Sequence, residues 1–531
     1  MKILIRGVNW IGDAVITTPS VRAIRRAYPD AHISLLVKPW VADIFKENLD
    51  INEIILYDEG FMGIKGKLRL ANKLRRQRFD IAILLQNAFD AALLAWLAKI
   101  PERIGYSRGG RGFLLTKAIP INKDIASQHQ VYYYLNLLKS IGIETIETQP
   151  CIYLTDAERQ WARNILGANG HSPLHRTPNK LSKGVLPYAP TQFLIGINPG
   201  ATYGSAKRWM PERFAELIFR IINELDGRII IFGSKSENEI ADEILQGLKT
   251  QNSKLKTHIL NMVGKTNLRE LAALTAECNA FITNDSGPMH MASALFVPVV
   301  AIFGSTNKAS TGPFGEGHKI ISKNLPCSPC MKRKCPEGHL KCMIEITADN
   351  VFAALQEVLP KEKAVFLDRD GTIIEDKHYL SSFDNLVIFP NAKENLQKLK
   401  DAGFKLIGIT NQSGIARGIV NEHFVIELNA YLKKELGIDD FYYCPHHPDK
   451  RCPCRKPEPM MPLIARLRHR INLKTSYVIG DKELDVQLAR KIGATGVLIS
   501  SPLSPENTCA SFVAKDLAGA VEWILKNSAV K

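Results

Sequence analysis

Residues 364–374 read AVFLDRDGTII, an apolar run interrupted by two aspartates and followed by Gly-Thr. The apolar residues predict a buried strand, and Asp368 and Asp370 stand at its carboxyl end, just before a tight turn. Two carboxylates at this spacing suit phosphoryl transfer, because Asp368 can attack phosphorus while Asp370 protonates the leaving oxygen and later activates water. The structural alternative is a strand end followed by a turn that has no catalytic role.

Three further segments favour the catalytic interpretation. Thr410 ends the apolar run KLIGIT and opens TNQSGIARG, whose hydroxyl and glycine-rich amides suit a phosphate group. Lys456 supplies a cation for the transferring group. The string GDKELD follows the strand SYVI and places Asp481 and Asp485 where Mg²⁺ requires hard oxygen ligands.

The order, strand context and spacing of these segments resemble the haloacid dehalogenase phosphatase superfamily over about residues 361–531. The resemblance implies an α/β Rossmannoid domain with an aspartyl-phosphate mechanism. It also implies Mg²⁺ ligands at Asp368, Asp370 and Asp481, with Lys456 as a catalytic residue. Further phosphate or substrate contacts are expected at Thr410, Asn411 and Arg417.

The loop CPHHPDKRCPC (444–454) contains three thiols and two imidazoles within eleven residues. Such a short loop favours tetrahedral zinc over a disulfide, with Cys444, Cys452, Cys454 and one imidazole as ligands. The Cys-Pro-His spacing resembles that of a known phosphatase family, and this resemblance implies His446 as the fourth ligand. An inert cysteine-rich turn is the alternative. With Arg455 directly behind it, this loop resembles the heptose 1,7-bisphosphate 7-phosphatases and their relatives, the histidinol-phosphate phosphatases. In the former, the equivalent arginine helps to bind the second phosphate of the sugar.

The amino terminus, MKILIRGVNWIGDAVITTPSVRAIRRAYPDAHI, reads as a strand, a glycine-containing loop and a helix. This is a βα unit of a doubly wound sheet, and its loop lies at the helix N-terminus, where anions bind. Asp13 falls at this helix start, which stabilises a carboxylate. An ordinary helix-start aspartate is the alternative to a functional one.

Three later segments also end predicted strands with polar residues. PGATYGSAKRW (199–209) brings Lys207 and Arg208 into a glycine-rich loop that could hold a diphosphate. RIIIFGSKSENE (228–239) ends in acidic residues that could accept hydrogen bonds from a ribose. AFITNDSGPMHMASAL (280–295) presents backbone amides at a helix start to an anionic group.

Together, NWIGD, GATYGSAKRW and NDSGPMH resemble the ADP-heptose:lipopolysaccharide heptosyltransferases of the heptosyltransferase II type, over about residues 1–359. The resemblance implies a GT-B fold and inverting transfer, with Asp13 as the general base that deprotonates the acceptor hydroxyl. Lys207 would neutralise the departing diphosphate. Glu237 is the predicted ribose contact, with Glu239 as a near neighbour. The remaining predicted ADP-heptose contacts are Asp285, Ser286, Gly287 and His290.

With 531 residues, the chain is too long for a single core. We predict Rossmann-like domains at 1–172 and 192–359, a proline-rich linker at 173–191 and the phosphatase domain at 361–531. Neither a secretion signal nor a membrane-spanning run is found in the sequence, so a soluble cytoplasmic protein is expected.

The net charge is +16, of which +12 belongs to residues 1–360. The segment 61–79 has seven basic residues and no acidic one, and 101–117 adds more. A solvated basic helix face is one interpretation. The other is a positive surface that faces an anionic glycolipid acceptor at the inner leaflet of the membrane. Nucleic acid is not expected as a partner, because no stacking-aromatic motif accompanies the charge.

A second group of cysteines lies in CSPCMKRKCPEGHLKCM (327–343). Four thiols within sixteen residues predict either a second structural zinc site or free or disulfide-bonded surface cysteines. The four residues are Cys327, Cys330, Cys335 and Cys342.

The sequence therefore predicts a bifunctional enzyme of lipopolysaccharide inner-core heptose synthesis. One part would transfer heptose from ADP-heptose to the lipid A-core acceptor, and the other would hydrolyse the 7-phosphate of heptose 1,7-bisphosphate. Two alternatives remain. The phosphatase could act on histidinol phosphate, or the transferase part could be a glycolipid-binding module without catalytic activity.

Overall fold

The computed structural model describes residues 1–168, 193–249, 255–450, 452–500 and 508–529. The chain forms two compact units, Met1–Leu359 and Pro360–Lys531, which we call the first and second units. The predicted linker at 173–191 lies outside the described residues. Among the helices that are described, none combines the length and apolar character needed to cross a bilayer.

The first unit contains two six-stranded parallel sheets. The strands of the first sheet are β1 Lys2–Arg6, β2 His32–Val37, β3 Glu53–Leu56, β4 Ile81–Leu84, β5 Glu102–Tyr106 and β6 Lys117–Ile119. Those of the second sheet are β7 Leu194–Asn198, β8 Arg228–Ile231, β9 Ile259–Asn261, β10 Ala280–Asn284, β11 Val299–Phe303 and β12 Lys319–Ser322. Apolar residues fill both faces of each sheet, as expected for strands that helices cover on both sides.

The second unit contains a third parallel sheet of six strands. These are β13 Lys363–Leu367, β14 Phe404–Asn411, β15 Asp440–Cys444, β16 Tyr477–Gly480, β17 Thr495–Ile499 and β18 Phe512–Ala514. The connection from the first unit is short. The helix α16 ends at Val358, and the backbone amides of Lys361 and Glu362 already donate to the carbonyl oxygen of Arg470 in the second unit.

The helices of the described residues connect the strands. In the first unit they are α1 Ile11–Ile16, α2 Thr18–Ala27, α3 Pro39–Ala42, α4 Gly63–Gln77, α5 Phe89–Leu97, α6 Lys123–Ser127, α7 Gln130–Lys139, α8 Asp156–Ala168, α9 Pro211–Leu225, α10 Asn238–Lys249, α11 Leu255–His258, α12 Leu268–Ala276, α13 Gly287–Ala294, α14 Lys308–Thr311, α15 Lys341–Ile344 and α16 Ala348–Val358. In the second unit they are α17 Ala392–Asp401, α18 Ser413–Ala416, α19 Glu422–Leu436, α20 Met460–His469, α21 Glu483–Ile492 and α22 Leu517–Ala529.

All three sheets have the same strand order. It runs β3-β2-β1-β4-β5-β6 in the first sheet, and the same order recurs as β9-β8-β7-β10-β11-β12 and β15-β14-β13-β16-β17-β18. The predicted α/β class, with two Rossmann-like sheets followed by a Rossmannoid one, is confirmed. In each sheet the order reverses between the first and fourth strands, and the carboxyl ends of these two strands flank the crevice where α/β proteins bind ligands.

Candidate active sites

In the crevice of the second unit, one lysine pairs with two carboxylates. These belong to Asp368, which follows β13, and to Asp485 on α21. The Nζ atom of Lys456 lies 2.8 Å from Asp368 Oδ1 and 2.7 Å from Asp485 Oδ1, and all three side chains are buried. Burial acts against a charged amine, but the two carboxylates outweigh it and raise the pKa of Lys456. The lysine is therefore a fixed positive charge beside the predicted nucleophile.

The carboxylate of Asp370 is held by its own set of donors. Arg369, which is 1% exposed, donates through Nε and Nη2 at 3.1 Å. Thr410 Oγ1 donates to Asp370 Oδ2 at 3.1 Å, and Gln412 Nε2 donates to the same oxygen at 2.7 Å. Gln412 was missed by the sequence analysis, because a glutamine in a glycine-rich loop carries no signal of its own.

Three carboxylates approach one another at the end of the sheet. Ligand oxygens of Asp368, Asp481 and Asp485 all lie within 4.8 Å of one another. Asp481 Oδ1 is buried and has no hydrogen-bond partner within the part of the chain that the structure describes. Burial, the charge of Asp485 and that of Asp370 raise the pKa of Asp368 against the opposing effect of Lys456. Such a group of hard oxygen donors fits a divalent cation.

The grouping differs from the predicted magnesium ligands in one respect. The prediction included Asp370, whereas the side chain that completes the group of three is Asp485. The Asp370 carboxylate is directed instead to the donors of Arg369, Thr410 and Gln412. The chain turns sharply at Gly371, directly after Asp370. Glycine is needed there because its φ of +87° is left-handed and because a Cβ would lie 2.4 Å from Asp481 Oδ2.

Asp368, Asp370 and Asp485 line a cavity of about 320 Å³ together with Lys456, and Arg455 and Asn411 also lie on its wall. Arg455 lines the cavity, and its buried Nη1 has no hydrogen-bond partner among the described residues. The side-chain amide of Asn411 donates to the carbonyl oxygen of Lys456 at 3.3 Å and accepts from the backbone amide of Lys456 at 3.0 Å. The predicted contact Arg417 is exposed at the end of α18 and does not line this cavity.

The four predicted zinc ligands lie together beside the cavity. His446 Nδ1 lies 3.5 Å from Cys444 Sγ, 3.0 Å from Cys452 Sγ and 3.3 Å from Cys454 Sγ. Three sulfurs and one nitrogen around a common centre are the donor set of a structural zinc site. Arg455 and Lys456 follow this loop directly, so a bound metal would fix their backbone.

In the first unit, Asp13 lies in the first turn of α1, and this helix packs against the start of α13. A Cβ on Gly12 would lie 2.7 Å from His290 Cδ2, and one on Gly287 would lie 3.1 Å from Ile11. Burial, together with the charge of Asp285 and against that of Lys207, raises the pKa of Asp13 to about 6. The carboxyl group is therefore suited to accept a proton near neutral pH.

Opposite Asp13, the loops after β7 and β10 meet in a second buried ion pair. Lys207 Nζ lies 2.5 Å from Asp285 Oδ2, with 12% and 6% of the two side chains exposed. Thr306 Oγ1 donates to the same carboxylate oxygen at 2.6 Å. Thr306 was missed by the sequence analysis, because it stands after β11 in a segment without a recognised motif.

Ser286, Gly287 and His290 form the start of α13 at this crevice. The Oγ of Ser286 lies 3.0 Å from that of Thr283. His290 is buried, and burial lowers its pKa to about 4 despite the charge of Asp285. The imidazole is therefore neutral at neutral pH, and its lowered pKa makes it a weak proton acceptor.

Glu237 lies against the loop after β7. Its Oε2 accepts from the backbone amide of Ser234 at 2.7 Å and from the Ser234 hydroxyl at 2.8 Å. A Cβ on Gly200 would lie 1.7 Å from Glu237 Oε1, so the carboxylate is pressed against the loop that carries Lys207. Arg208 donates to the carbonyl oxygen of Ala201 at 3.3 Å and shapes that loop from within.

The two predicted basic segments differ in the structure. Arg75, Arg76 and Arg78 are exposed on and after α4. In the second segment, Arg111 is fully buried and donates to the carbonyl oxygen of Tyr106, and Arg103 donates to that of Leu114. The interpretation of 101–117 as a positive surface is therefore wrong for these two arginines, which satisfy backbone carbonyls.

Comparison with known proteins follows the same division of the chain. Residues 67–341 match glycosyltransferase family 9 (heptosyltransferase), and residues 453–520 match the HAD-hydrolase-like family. Lipopolysaccharide heptosyltransferase 2 of Salmonella typhimurium is 30% identical over 68% of this chain and 99% of that protein. D-glycero-beta-D-manno-heptose-1,7-bisphosphate 7-phosphatase of Photorhabdus laumondii is 41% identical over 31% of this chain and 97% of that protein.

One solved structure provides a further comparison. The structure of ADP-heptose lps heptosyltransferase II from E. coli aligns with a TM-score of 0.55 and 28% identity. The alignment covers 67% of this chain and 98% of that one.

Proposed function

The chain belongs to glycosyltransferase family 9, the heptosyltransferases, and carries a heptose bisphosphate 7-phosphatase-like part at its C-terminus; from this premise we propose a specific assignment of both reactions. The first unit transfers heptose from ADP-heptose to the heptosyl-Kdo-lipid A core with inversion. The second unit hydrolyses the 7-phosphate of heptose 1,7-bisphosphate. The observation that carries the proposal is a buried lysine–aspartate pair at the strand-order reversal of each unit.

For transfer, Asp13 acts as the general base. Its raised pKa allows it to take the proton of the acceptor hydroxyl, which then displaces ADP from the anomeric carbon. Lys207 neutralises the charge that develops on the leaving diphosphate. Asp285 holds this lysine at the crevice, and Thr306 in turn donates to Asp285, so the lysine needs little reorganisation during the reaction.

The donor would lie along the loops after β7 and β10. The amides at the start of α13, at Ser286 and Gly287, face its phosphates, and His290 contacts it as a neutral group. Glu237 is the ribose contact in this proposal. Its Oε1, next to Gly200, is the oxygen left for that contact, because Oε2 already accepts two hydrogen bonds from Ser234.

For hydrolysis, Asp368 attacks the phosphorus and forms an aspartyl-phosphate. Asp370 protonates the leaving oxygen and then takes a proton from the water that attacks the intermediate. The donors Arg369, Thr410 and Gln412 keep its carboxylate in place for both steps. Lys456 compensates the charge of the phosphoryl group, and Asn411 fixes the backbone of Lys456.

We assign Mg²⁺ to the carboxylates of Asp368 and Asp481. The cation, when bound, would supply positive charge for the phosphoryl oxygens. Asp370 and Asp485 lie next to this pair. The unpartnered and buried Oδ1 of Asp481 supports the assignment, because a buried carboxylate oxygen without a donor is costly unless a cation satisfies it.

We assign a structural zinc ion to Cys444, His446, Cys452 and Cys454. Its role would be to fold the loop that ends at Arg455 and Lys456. Arg455 would bind the phosphate that remains on the sugar, which is supported by its place in the cavity lining and by an Nη1 without a hydrogen-bond partner among the described residues.

The anionic acceptor would meet the first unit at a surface formed by α4, α5 and the turn near Phe113. Lys67 on α4 pairs with Asp90 on α5 at 2.5 Å, and the ring of Phe89 lies 6.1 Å from that of Phe113. Ile64 is 80% exposed and Phe113 76% exposed, next to the basic residues of α4. Exposed apolar side chains among lysines and arginines are typical of peripheral contact with an anionic membrane surface.

One assay tests the substrate of the second unit. The full chain would be given heptose 1,7-bisphosphate and histidinol phosphate side by side, and phosphate release would be measured as kcat/KM. We expect a clear preference for the heptose bisphosphate, since Arg455 offers a site for a second phosphate that histidinol phosphate lacks. Arg455→Ala should reduce this preference. A preference of the parent for histidinol phosphate would reject the pathway assignment.

A further inference from the structure

A small cavity of about 10 Å³ in the first unit is lined in part by cysteines and a histidine. Its wall includes four thiols and one imidazole, together with Ala206 and Ser305 from the loops that carry Lys207 and Thr306. A volume of this size holds one atom-sized occupant. The five side chains are Cys327, Cys330, Cys335, Cys342 and His339.

We propose that the four cysteines bind one thiophilic divalent cation, zinc or iron, which fixes this segment against the loop of Lys207. Four thiolates are the ligand set that both metals accept in tetrahedral sites. None of the four cysteines is in a disulfide. The four thiols and the small cavity suit a single metal ion, and binding would draw together sulfurs that, unlike those of the second unit, do not yet lie within 4.8 Å of one another as a group.

His339 completes the environment of the site. Its Nδ1 accepts a hydrogen bond from the backbone amide of Lys341 at 3.0 Å, so the proton of a neutral ring is on Nε2. That Nε2 lies 4.0 Å from Cys327 Sγ. The ring would donate to the thiolate and orient it, as groups around metal ligands commonly do.

The segment has little else to hold its shape. Between β12 and α15, residues 323–340 contain neither helix nor strand. A long irregular stretch within a compact unit usually needs a functional or structural reason, and a metal cross-link provides one.

The segment also supports the loop that carries Lys207. The backbone amide of Ala206 donates to Arg333 O at 3.1 Å, and the Tyr203 hydroxyl donates to Met331 O at 3.0 Å. A Cβ on Gly204 would lie 2.2 Å from Arg333 O, so the two backbones are in direct contact.

Two cations flank the ring of Tyr203 in this contact. The ring lies 4.5 Å from Lys207 Nζ on one side and 5.4 Å from the guanidinium of Arg333 on the other. Met331 in turn donates its amide to Ser305 O at 2.7 Å, next to Thr306. Loss of the metal should therefore loosen Lys207, Asp285 and their partners together.

Metal analysis of the full chain tests the site. Zinc and iron per chain would be measured after purification without chelator, and we expect two equivalents in the parent. Cys330→Ser/Cys335→Ser should lose one equivalent and keep the one in the second unit. The exposed Cys509→Ser is the matched control and should keep both. Metal content equal to that of the parent in Cys330→Ser/Cys335→Ser would overturn the proposal.

A second variant leaves the proposed site untouched and therefore does not depend on the folding of a damaged first unit. Cys452→Ser/Cys454→Ser should retain one equivalent of metal, whereas a metal-free protein would overturn the proposal. Thiol titration of the denatured parent with chelator and without reductant should count all ten cysteines. A count of eight, with the loss located by mass spectrometry to residues 327–342, would indicate a disulfide and also overturn it.

The positioning effect has its own readout. ADP binding, measured by calorimetry, should weaken about tenfold in Cys330→Ser/Cys335→Ser and remain unchanged in Cys452→Ser/Cys454→Ser. Unchanged affinity in the first variant would refute the support of the Lys207 loop. This readout rests on the proposed ADP-heptose site; failure of that proposal would appear as a parent that does not bind ADP, whereas the metal count would be unaffected.

Discussion

The crevices of the two units lie at the same point of the same strand order, but the carboxylates that pair with their lysines differ in number. In the first unit, Lys207 pairs with the single carboxylate of Asp285 at 2.5 Å. In the second unit, Lys456 lies between Asp368 and Asp485, with Asp481 close by. The second crevice therefore has more buried carboxylates than its lysine can neutralise.

This difference shows that the fold brings charged side chains together in both crevices, whereas the residues of the loops determine how many of them are cations and how many are anions. Two strands that flank an order reversal bring their following residues together in both units. In the first unit, Lys207 pairs with Asp285 beside Asp13, whose raised pKa lets it carry a proton near neutral pH, and this crevice suits an organic diphosphate. Where the residues are three carboxylates and one lysine, the crevice requires a further cation before a phosphate can approach.

The largest expected effect separates the two crevices completely. Asp368→Asn keeps the shape of the side chain but removes the nucleophile, so phosphate release from heptose 1,7-bisphosphate should fall to background. Heptose transfer by the same preparation should continue at the parent rate, because Asp368 belongs to the other compact unit. Both rates would be measured together with the melting temperature.

Asp384→Asn is the matched control for that variant, since Asp384 is exposed and outside the cavity. It should leave both activities unchanged. Phosphatase activity of Asp368→Asn above background would exclude Asp368 as the nucleophile, and loss of transfer with unchanged melting would show that the two reactions are coupled.

The next effect in size tests the first crevice. Asp13→Ala should reduce transfer by about 10²–10⁴-fold, which is the usual cost of losing a positioned base. Phosphatase activity should be unaffected. Asp30→Ala, at an exposed aspartate in the turn before β2, serves as the control for substitution alone. If Asp13→Ala transfers heptose at the parent rate, Asp13 is only a helix-start residue. If the parent itself shows no transfer, the first unit is better interpreted as a glycolipid-binding module.

A pH profile sharpens this assignment. Because a base acts in its ionised form and burial raises the pKa of Asp13 to about 6, kcat/KM for transfer should be half-maximal near pH 6. Below that pH it should fall tenfold for each further unit, whereas an ordinary exposed aspartate would remain ionised at pH 5. Initial rates from pH 5 to pH 8 would show which applies. A flat profile over this range would contradict the environment that we describe for Asp13.

The smallest expected effect concerns the surface rather than the crevices. Replacing Arg75, Arg76 and Arg78 by glutamate should raise KM for the anionic glycolipid several-fold and leave KM for ADP-heptose nearly intact. The effect should shrink at high salt, because exposed charges are screened beyond about 8 Å at physiological ionic strength.

Lys434→Glu, an exposed charge reversal in the second unit, is the control for that experiment. It should change neither KM. If the triple variant uses the acceptor as well as the parent does, the basic side of α4 is simply a solvated face.

Much of both crevices could be predicted from sequence, because motif residues followed apolar strands directly. Asp368 and Asp481 end neighbouring parallel strands, so their approach follows from the strand order alone. The direction of the Asp370 carboxylate could not be predicted. It depends on the left-handed turn at Gly371 and on donors from β14 and its loop.

Other residues show where residue type is a poor guide to position. Arg111 belongs to a basic segment, yet it is buried because neighbouring backbone carbonyls need donors. Arg417 stands in a glycine-rich loop that resembles a phosphate site, but the short helix α18 leaves it exposed. Thr306 lies far from Asp285 in sequence and reaches it only because β10 and β11 are adjacent.

The short connection after Val358 has a consequence for the amounts of the two activities in a cell. Since Lys361 and Glu362 are already hydrogen bonded within the second unit, only Leu359 and Pro360 separate the two folded parts. Because both units belong to one chain, each translation event produces one copy of each unit, and no change in expression can alter the ratio of the two. A substitution that causes one part to be degraded with its chain would remove the other in equal number, so the two steps would fail together.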